Sequence, residues 1–199
     1  MKNQVGSLEM IKHINQSLVL STIRKEEPIS RAQISKKLKL SRSTVGQIVD
    51  FLIENEMIFE KGIEASASKV GGRPGQMLWF NPVSSYLVGI DLNDESTRLC
   101  IADLTGKPQF TKAYAPARDA DEMAKTINSA LEEAHIKANE ISRLTISVPG
   151  TVNTEGVVLK ASRLHWRNYD LKGLLSKQNA FPIDVHNDVN LALVGERLF

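Results

Sequence analysis

The stretch "ISRAQISKKLKLSRSTVGQIVDFL", residues 29–52, holds two helix starts with one tight turn between them. Ser30 stands as an N-cap with Gln33 three residues on, the reciprocal pair of a capping box. Ile29 and Ile34 occupy the two positions of a hydrophobic staple. The spacing predicts a short helix that buries Ile34 and Leu38 and ends around Leu40. A longer helix starts at once. Ser41 caps it, and Val45, Ile48, Val49 and Leu52 recur at helical spacing and must face inward.

Its opposite face presents Arg42, Ser43, Gly46 and Gln47 at the N-terminal end, with Thr44 alongside. This is the chemistry of a recognition helix. The helix N-terminus attracts phosphate, hydroxyls and amides bond to base edges, and Arg42 suits guanine or the backbone. Gly46 costs helix stability but permits close approach of DNA or of a neighbouring helix. No acidic residue occurs between Pro28 and Val49, where Arg31, Lys36, Lys37, Lys39 and Arg42 lie. Residues 1–80 carry 12 Lys+Arg against 8 Asp+Glu, and residues 81–199 carry 13 against 15, so the positive charge is concentrated in the first part.

Upstream, Ile11, Ile14 and Leu18, widening to Val19 and Ile23, predict a first helix with a broad apolar face that stops before Pro28. Downstream, "MIFEKGI" and "QMLWFN" read as paired strands around the polar, glycine-rich "EASASKVGGRPG". That pattern suggests a wing, with Arg73 held out by Gly71, Gly72 and Pro74 toward a minor groove. Residues 1–82 therefore read as a winged helix-turn-helix domain whose partner is double-stranded DNA. The candidate contacts are Arg31, Ser41, Arg42, Ser43, Thr44, Gln47 and Arg73. The bland alternative is a three-helix bundle with an accidental basic patch and an ordinary hairpin loop.

Composition excludes several classes. The chain has 199 residues, 42% hydrophobic and 24% charged, as in ordinary globular domains. No apolar run is long enough to span a membrane, and the polar N-terminus lacks a signal-peptide core. The single cysteine, Cys100, excludes an internal disulfide framework and fits a reducing cytoplasm. His13, His135, His165 and His186 are scattered, and no Cys/His cluster has zinc spacing.

From Tyr86 the periodicity changes. "YLVGIDL", "STRLCIADL" and "PQFTKAYA" predict three successive strands, turning at Asn93-Asp94 and Thr105-Gly106. A helix over about residues 120–138 follows, then the strand "RLTISV", a hairpin in "TVNTEGVVL", and a polar segment around "RLHWRNYD". A helix near 171–178, the strand "FPIDVHND" and a last helix over about 189–198 complete the order. Helix–strand alternation after three strands implies an α/β lobe with a mixed sheet over residues 83–199, and an α+β multidomain chain as a whole.

The order of these motifs resembles the ROK family (repressors, open reading frames and kinases), most nearly its sugar-responsive repressors of the xylose-repressor type. The residues that carry the resemblance are the winged helix, "GGRPGQMLWFNP", "GIDL", "SVPGTVN", "HWRNYDL" and "HNDVNLALVGE", in that order. The resemblance implies an actin/hexokinase-like first lobe and a repressor of carbohydrate-utilisation genes, bound to operator DNA as a homodimer and released by a sugar. The alternative it leaves open is a sugar kinase with an attached DNA-binding domain. A kinase needs glycines after "GID" to receive ATP phosphates, whereas Asn93, Asp94 and Glu95 stand there.

The same resemblance makes Gly150, Asn187 and Asp188 the candidate sugar contacts, Asp188 accepting a hydrogen bond from a sugar hydroxyl. An Asn-Asp pair after a strand is also a good helix cap, and that reading stays open. Trp166 is a weaker candidate for covering a sugar face, since a lone aromatic is more often core. No cofactor is expected. The family's Glu-x-Gly-His sugar motif and Cys/His zinc site belong to a second lobe, and no residue here matches either. With the sequence stopping at Phe199, the expectation is half a sugar cleft, weak sugar binding, and exposure of Leu191, Leu193, Val194 or Leu198 on the last helix.

Overall fold

Capping and burial act as the spacing demands in the helix that follows Ser41 and at the start of the one that follows Ser30, while Leu38, expected to be buried, is only half-buried where the latter ends. A computed structural model describes residues 2–63 and 75–198, with side chains from Leu8 to Arg197, and divides into two units, Met1–Pro82 and Val83–Phe199. The first runs α1 (Lys2–Glu26), β1 (Ile29–Ser30), α2 (Arg31–Leu38), α3 (Arg42–Glu54), β2 (Ile58–Ile63) and β3 (Gln76–Phe80). The Ser30 N–H donates to Gln33 Oε1 at 2.8 Å while Gln33 N–H returns to Ser30 Oγ at 3.4 Å, closing the capping box. Lys39 turns left-handed (φ 56°) after α2, and Ser35 Oγ donates to Leu40 O at 2.7 Å across the turn. Val45, Ile48, Val49 and Leu52 of α3 are all buried, with Val19, Ile23, Ile34, Ile58 and Leu78.

The three strands pair antiparallel in the order β1-β3-β2, as in a winged helix. The two-residue β1 escapes a sequence reading because it is too short to show a period. The first helix also departs from expectation. Val19 and Ile23 are buried, but Ile11, Ile14 and Leu18 are half exposed, at 50, 48 and 47%. Only the last turns of α1 close the core. Its earlier turns flank an open groove whose lining includes Leu8, Ile11, Gln47 and Phe51.

The second unit begins with β4 (Tyr86–Leu92), β5 (Thr97–Asp103), β6 (Pro108–Tyr114), α4 (Ala120–Ala134) and β7 (Ile141–Val148). It continues through β8 (Thr151–Val152), β9 (Val158–Ala161), β10 (Trp166–Tyr169), α5 (Leu171–Ser176), β11 (Ile183–Asn187) and α6 (Asp188–Leu198). The main sheet has the order β11-β7-β4-β5-β6, parallel from β11 to β4 and antiparallel beyond it. The lobe is thus α/β with the mixed sheet expected. Met123, Ile127, Ala130 and Leu131 of α4 are buried in its core.

Two boundaries differ from the sequence reading. The α4 helix ends at Ala134 because His135 turns left-handed (φ 57°) and Ile136 N–H bonds back to Leu131 O at 3.0 Å. The segment "WRNY" is a strand, β10, in a small sheet of order β10-β9-β8. Its only inward residues are Trp166 and Tyr169, too few to show alternation. On α6, Val189, Leu193 and Val194 are exposed and Leu191 is half-buried, while the Leu198 side chain lies outside the described residues.

Asp103 organises the β5–β6 turn from a nearly closed position, 3% exposed. Its Oδ1 accepts from Thr105 N–H at 2.8 Å, Thr105 Oγ1 at 2.5 Å and Lys107 N–H at 3.1 Å, and Oδ2 accepts from Gln109 Nε2 at 3.1 Å. Burial pushes the carboxyl up, but these hydrogen bonds together outweigh it and hold its pKa below the ordinary 3.8. Asp103→Ala is expected to destabilise this unit by about 1–3 kcal/mol, because it removes the buried charged acceptor of the hydrogen bonds that close the turn. A folded pKa below the unfolded one means that the unfolded chain binds the proton first. The stabilisation is therefore full above pH 3.8 and is lost as pH falls through the lower folded value. Urea unfolding read by Trp166 fluorescence in a Trp79→Phe background isolates this unit. Between neutral pH and pH below 3.8 the Asp103→Ala variant should lose less stability than its parent; an equal loss would refute the role given to Asp103.

Candidate functional site

Ser41 Oγ accepts the Thr44 N–H at 3.0 Å and lies 2.9 Å from Ser43 Oγ and 2.8 Å from Thr44 Oγ1. Its oxygen is spent on starting α3, so Ser41 positions the other residues rather than reaching outward. Arg42, Ser43 and Gln47 are exposed beside it, and Thr44 is half-buried. The structure therefore gathers the predicted recognition residues on one end of one helix. At Gly46 an added Cβ would meet nothing within 4 Å, so no neighbouring helix of this chain requires the glycine. Arg73 lies outside the described residues.

Pairing trims the basic patch. The Arg31 guanidinium bridges Asp50 at 2.8 Å and Glu60 at 2.9 Å, and Lys37 is paired with Glu26. Lys36, Lys39 and Arg42 have no carboxylate partner among the described residues. Arg31 is thus on the predicted surface with its fork already occupied. Sequence reading misses this because Glu60 is remote in the chain, although helical spacing does place Asp50 on the stripe of Ser43 and Gln47.

In the second unit, Gly150, Asn187 and Asp188 meet at the C-terminal ends of the parallel strands β7 and β11. Asn187 Nδ2 donates to Gly150 O at 2.8 Å and to Asp188 Oδ1 at 2.9 Å. The Asn190 N–H donates to Asn187 Oδ1 at 3.0 Å, and the Val189 N–H to Asp188 Oδ1 at 2.9 Å. The main capping work on α6 falls to Asn187. That leaves Asp188 half-buried, with Oδ2 met by no donor among the described residues and available to a hydroxyl. Gly150 is required by packing, since a Cβ there would lie 2.4 Å from Lys160 O. The ends of parallel strands are where open α/β sheets hold ligands.

Trp166 is not a sugar cover. It is buried, stacks on Tyr169 with ring centroids 4.6 Å apart, and donates from Nε1 to Arg118 O at 2.9 Å. The residues flanking it in "HWRNYDL" brace the small sheet against α4, with Ala120 N–H donating to Tyr169 Oη at 2.9 Å.

The turn after β4 closes on itself. Asn93 Oδ1 accepts from Glu95 N–H at 2.9 Å and Ser96 N–H at 2.8 Å, and Asn93 N–H donates to Ser96 O at 3.1 Å. Those are the backbone donors that a phosphate would need, and Asp94 and Glu95 stand exposed beside them. Among the described residues no three His, Cys, Asp or Glu side chains gather to hold a metal, and no helix is long and apolar enough to cross a membrane.

Comparison with known proteins agrees with both units. The ROK family profile matches residues 87–199 and the MarR family profile residues 13–59. The xylose repressor of Bacillus subtilis (strain 168) is 29% identical over 200 residues, covering 98% of this chain and 51% of that protein. The xylose repressor of Caldicellulosiruptor bescii is 30% identical, covering 98% of this chain and 50% of that one. The chain thus spans about half the length of the curated relatives it matches. A solved ROK family transcriptional regulator, a homolog of the E. coli MLC protein, superposes with a TM-score of 0.70 at 25% identity, over 95% of this chain and 49% of that chain. With a winged helix ahead of an actin-like lobe, and the ROK profile matching more than half of its residues, the chain belongs to the ROK family.

Proposed function

We propose that the chain serves a sugar-responsive transcriptional repressor of carbohydrate-utilisation genes, acting in the cytoplasm as a homodimer on operator DNA. The observation that carries the reading is the start of α3, where Arg42, Ser43 and Gln47 are exposed, together with Lys36 and Lys39, which have no carboxylate partner among the described residues. Phosphate contacts by the cations would set affinity, and Arg42, Ser43, Thr44 and Gln47 would read base edges in the major groove. Arg73 would add a minor-groove contact from the wing segment. Gly150, Asn187 and Asp188 would form one wall of the sugar site. The sugar favoured by the relatives' names is xylose. Sugar binding that differs between a DNA-competent and a DNA-incompetent state would release the operator by that difference in free energy.

The competing reading is a kinase. The self-satisfied turn at Asn93 speaks against it, since ATP would have to displace an internal acceptor and approach two carboxylates. The repressor names of the relatives favour the same conclusion.

Arg42→Ala is expected to cost about 1–3 kcal/mol in operator affinity and to relax sequence preference if Arg42 reads a base. A phosphate-only role would instead lower affinity uniformly and make the salt dependence shallower by about 0.9 in log–log slope. Fluorescence anisotropy at several salt concentrations, on a duplex selected by the wild-type chain and on a random duplex, separates the two; unchanged binding to both would remove this face from the interface. For the lobe, calorimetric titration with ATP and magnesium should give no heat of binding, and a coupled assay no sugar phosphorylation. Turnover that depends on Asp188 would establish the kinase instead. Residues 1–199 should bind xylose only very weakly; in a longer protein that carries a whole sugar cleft, Asp188→Asn should weaken xylose binding by about tenfold or more, the loss of one charge-assisted hydrogen bond. A xylose titration unaffected by the substitution would place the site elsewhere.

A further inference from the structure

The sequence reading counts Arg31 among the DNA contacts, but both of its terminal nitrogens are already engaged. Nη1 donates to Asp50 Oδ1 at 2.8 Å and Nη2 to Glu60 Oε1 at 2.9 Å. One side chain at the start of α2 thereby joins α3 to β2. The two carboxylates are not remote from the proposed interface. Asp50 stands on the outward stripe of α3, about one turn past Gln47 and two past Ser43. Glu60 lies on β2, whose following residues 64–74 are outside those described.

We infer that Arg31 is a charge-offsetting clamp on the DNA-binding face, which fixes Asp50 and Glu60 in place and offsets one of their two negative charges, so lessening their repulsion of phosphate, and does not itself bind DNA. The inference rests on the DNA-binding reading above. Exposure supports a role outside folding: the Arg31 side chain is 37% exposed, that of Asp50 68% and that of Glu60 34%. Ion pairs so accessible to water add little to stability. Beside a polyanion the balance changes, because each uncompensated carboxylate meets a field of like charge. Lys37 is paired with Glu26. Lys36, Lys39 and Arg42, which have no carboxylate partner among the described residues, are the cations left to meet phosphate, so Arg31 is the side chain that offsets Asp50 and Glu60. A guanidinium also holds two carboxylates in one plane in a way that a lysine ammonium does not.

The test uses the whole chain and two fluorescent duplexes, one selected from a random library by the wild-type chain and one of random sequence. Arg31→Ala should bind both about tenfold or more weakly, with a thermal midpoint close to wild type. Adding Asp50→Asn and Glu60→Gln to Arg31→Ala should restore affinity to the wild-type level or above, because the cluster then carries no charge, and should do so with the wild-type salt slope, which a lost phosphate grip would make shallower. A loss that is not restored, with a slope shallower by about 0.9, would mean that Arg31 grips a phosphate and would overturn the clamp. Undiminished binding by Arg31→Ala would overturn it as well. The triple variant guards against misfolding, since it lacks the same ion pairs and its recovery can come only from removed charge. Failure of the wild-type chain to bind any duplex would instead sink the DNA-binding reading, a result distinguishable because no variant is involved.

Discussion

Burial of one stripe of α3 is the constraint on which the N-terminal unit depends. Val45, Ile48, Val49 and Leu52 are all buried, and each such side chain is worth about 1.5–3 kcal/mol relative to exposure. The Ser41 cap contributes about 1 kcal/mol. Burial therefore decides which way the helix is rotated, and the cap decides only where it starts. Once that rotation is set, Ser43, Gln47 and Asp50 have no choice but to face outward. The proposed recognition surface follows from the core, not from any attraction among its own residues.

In the lobe the corresponding constraint is the parallel register of β11, β7 and β4. Asn187 lies opposite Val148, so the end of β11 and the turn after β7 meet at one edge of the sheet. The Asn187 amide then ties that turn to α6 through Gly150 O and Asn190 N–H. Asp188 inherits its place from this arrangement with one carboxylate oxygen unused by the fold. Asn187 thus holds the frame, and the ligand role proposed for Asp188 would fall to the carboxylate oxygen that no donor meets among the described residues.

Two turns that carry acidic residues show how the same residue types serve opposite ends. Asp103 sits in a closed turn where every hydrogen bond favours the charged carboxylate against the cost of burial. Around Asn93 the amide oxygen takes the backbone donors and leaves Asp94 and Glu95 to solvent. The first arrangement stabilises a hairpin. The second closes a backbone nest that glycines would have left open to an anion.

Local signals settled much of this chain from its sequence alone: the capping box at Ser30, the cap at Ser41, the period of α3 and the alternation of β4 and β5 each depend on residues a few positions apart. The order of motifs was enough to indicate the ROK family before any coordinates. What only tertiary structure decided was long-range and, for that reason, carried no periodic mark. The tie of Arg31 to Glu60 spans 29 residues, and the bond between Trp166 and Arg118 O spans 48. The half-exposed turns of α1 belong to the same class, because an apolar stripe records which face seeks cover but not whether a neighbour is there to supply it. Short elements such as β1 and β10 owe their existence to a partner strand rather than to their own residues. Sequence fixes what is encoded within a few turns of the chain; pairing across it is decided when the elements pack.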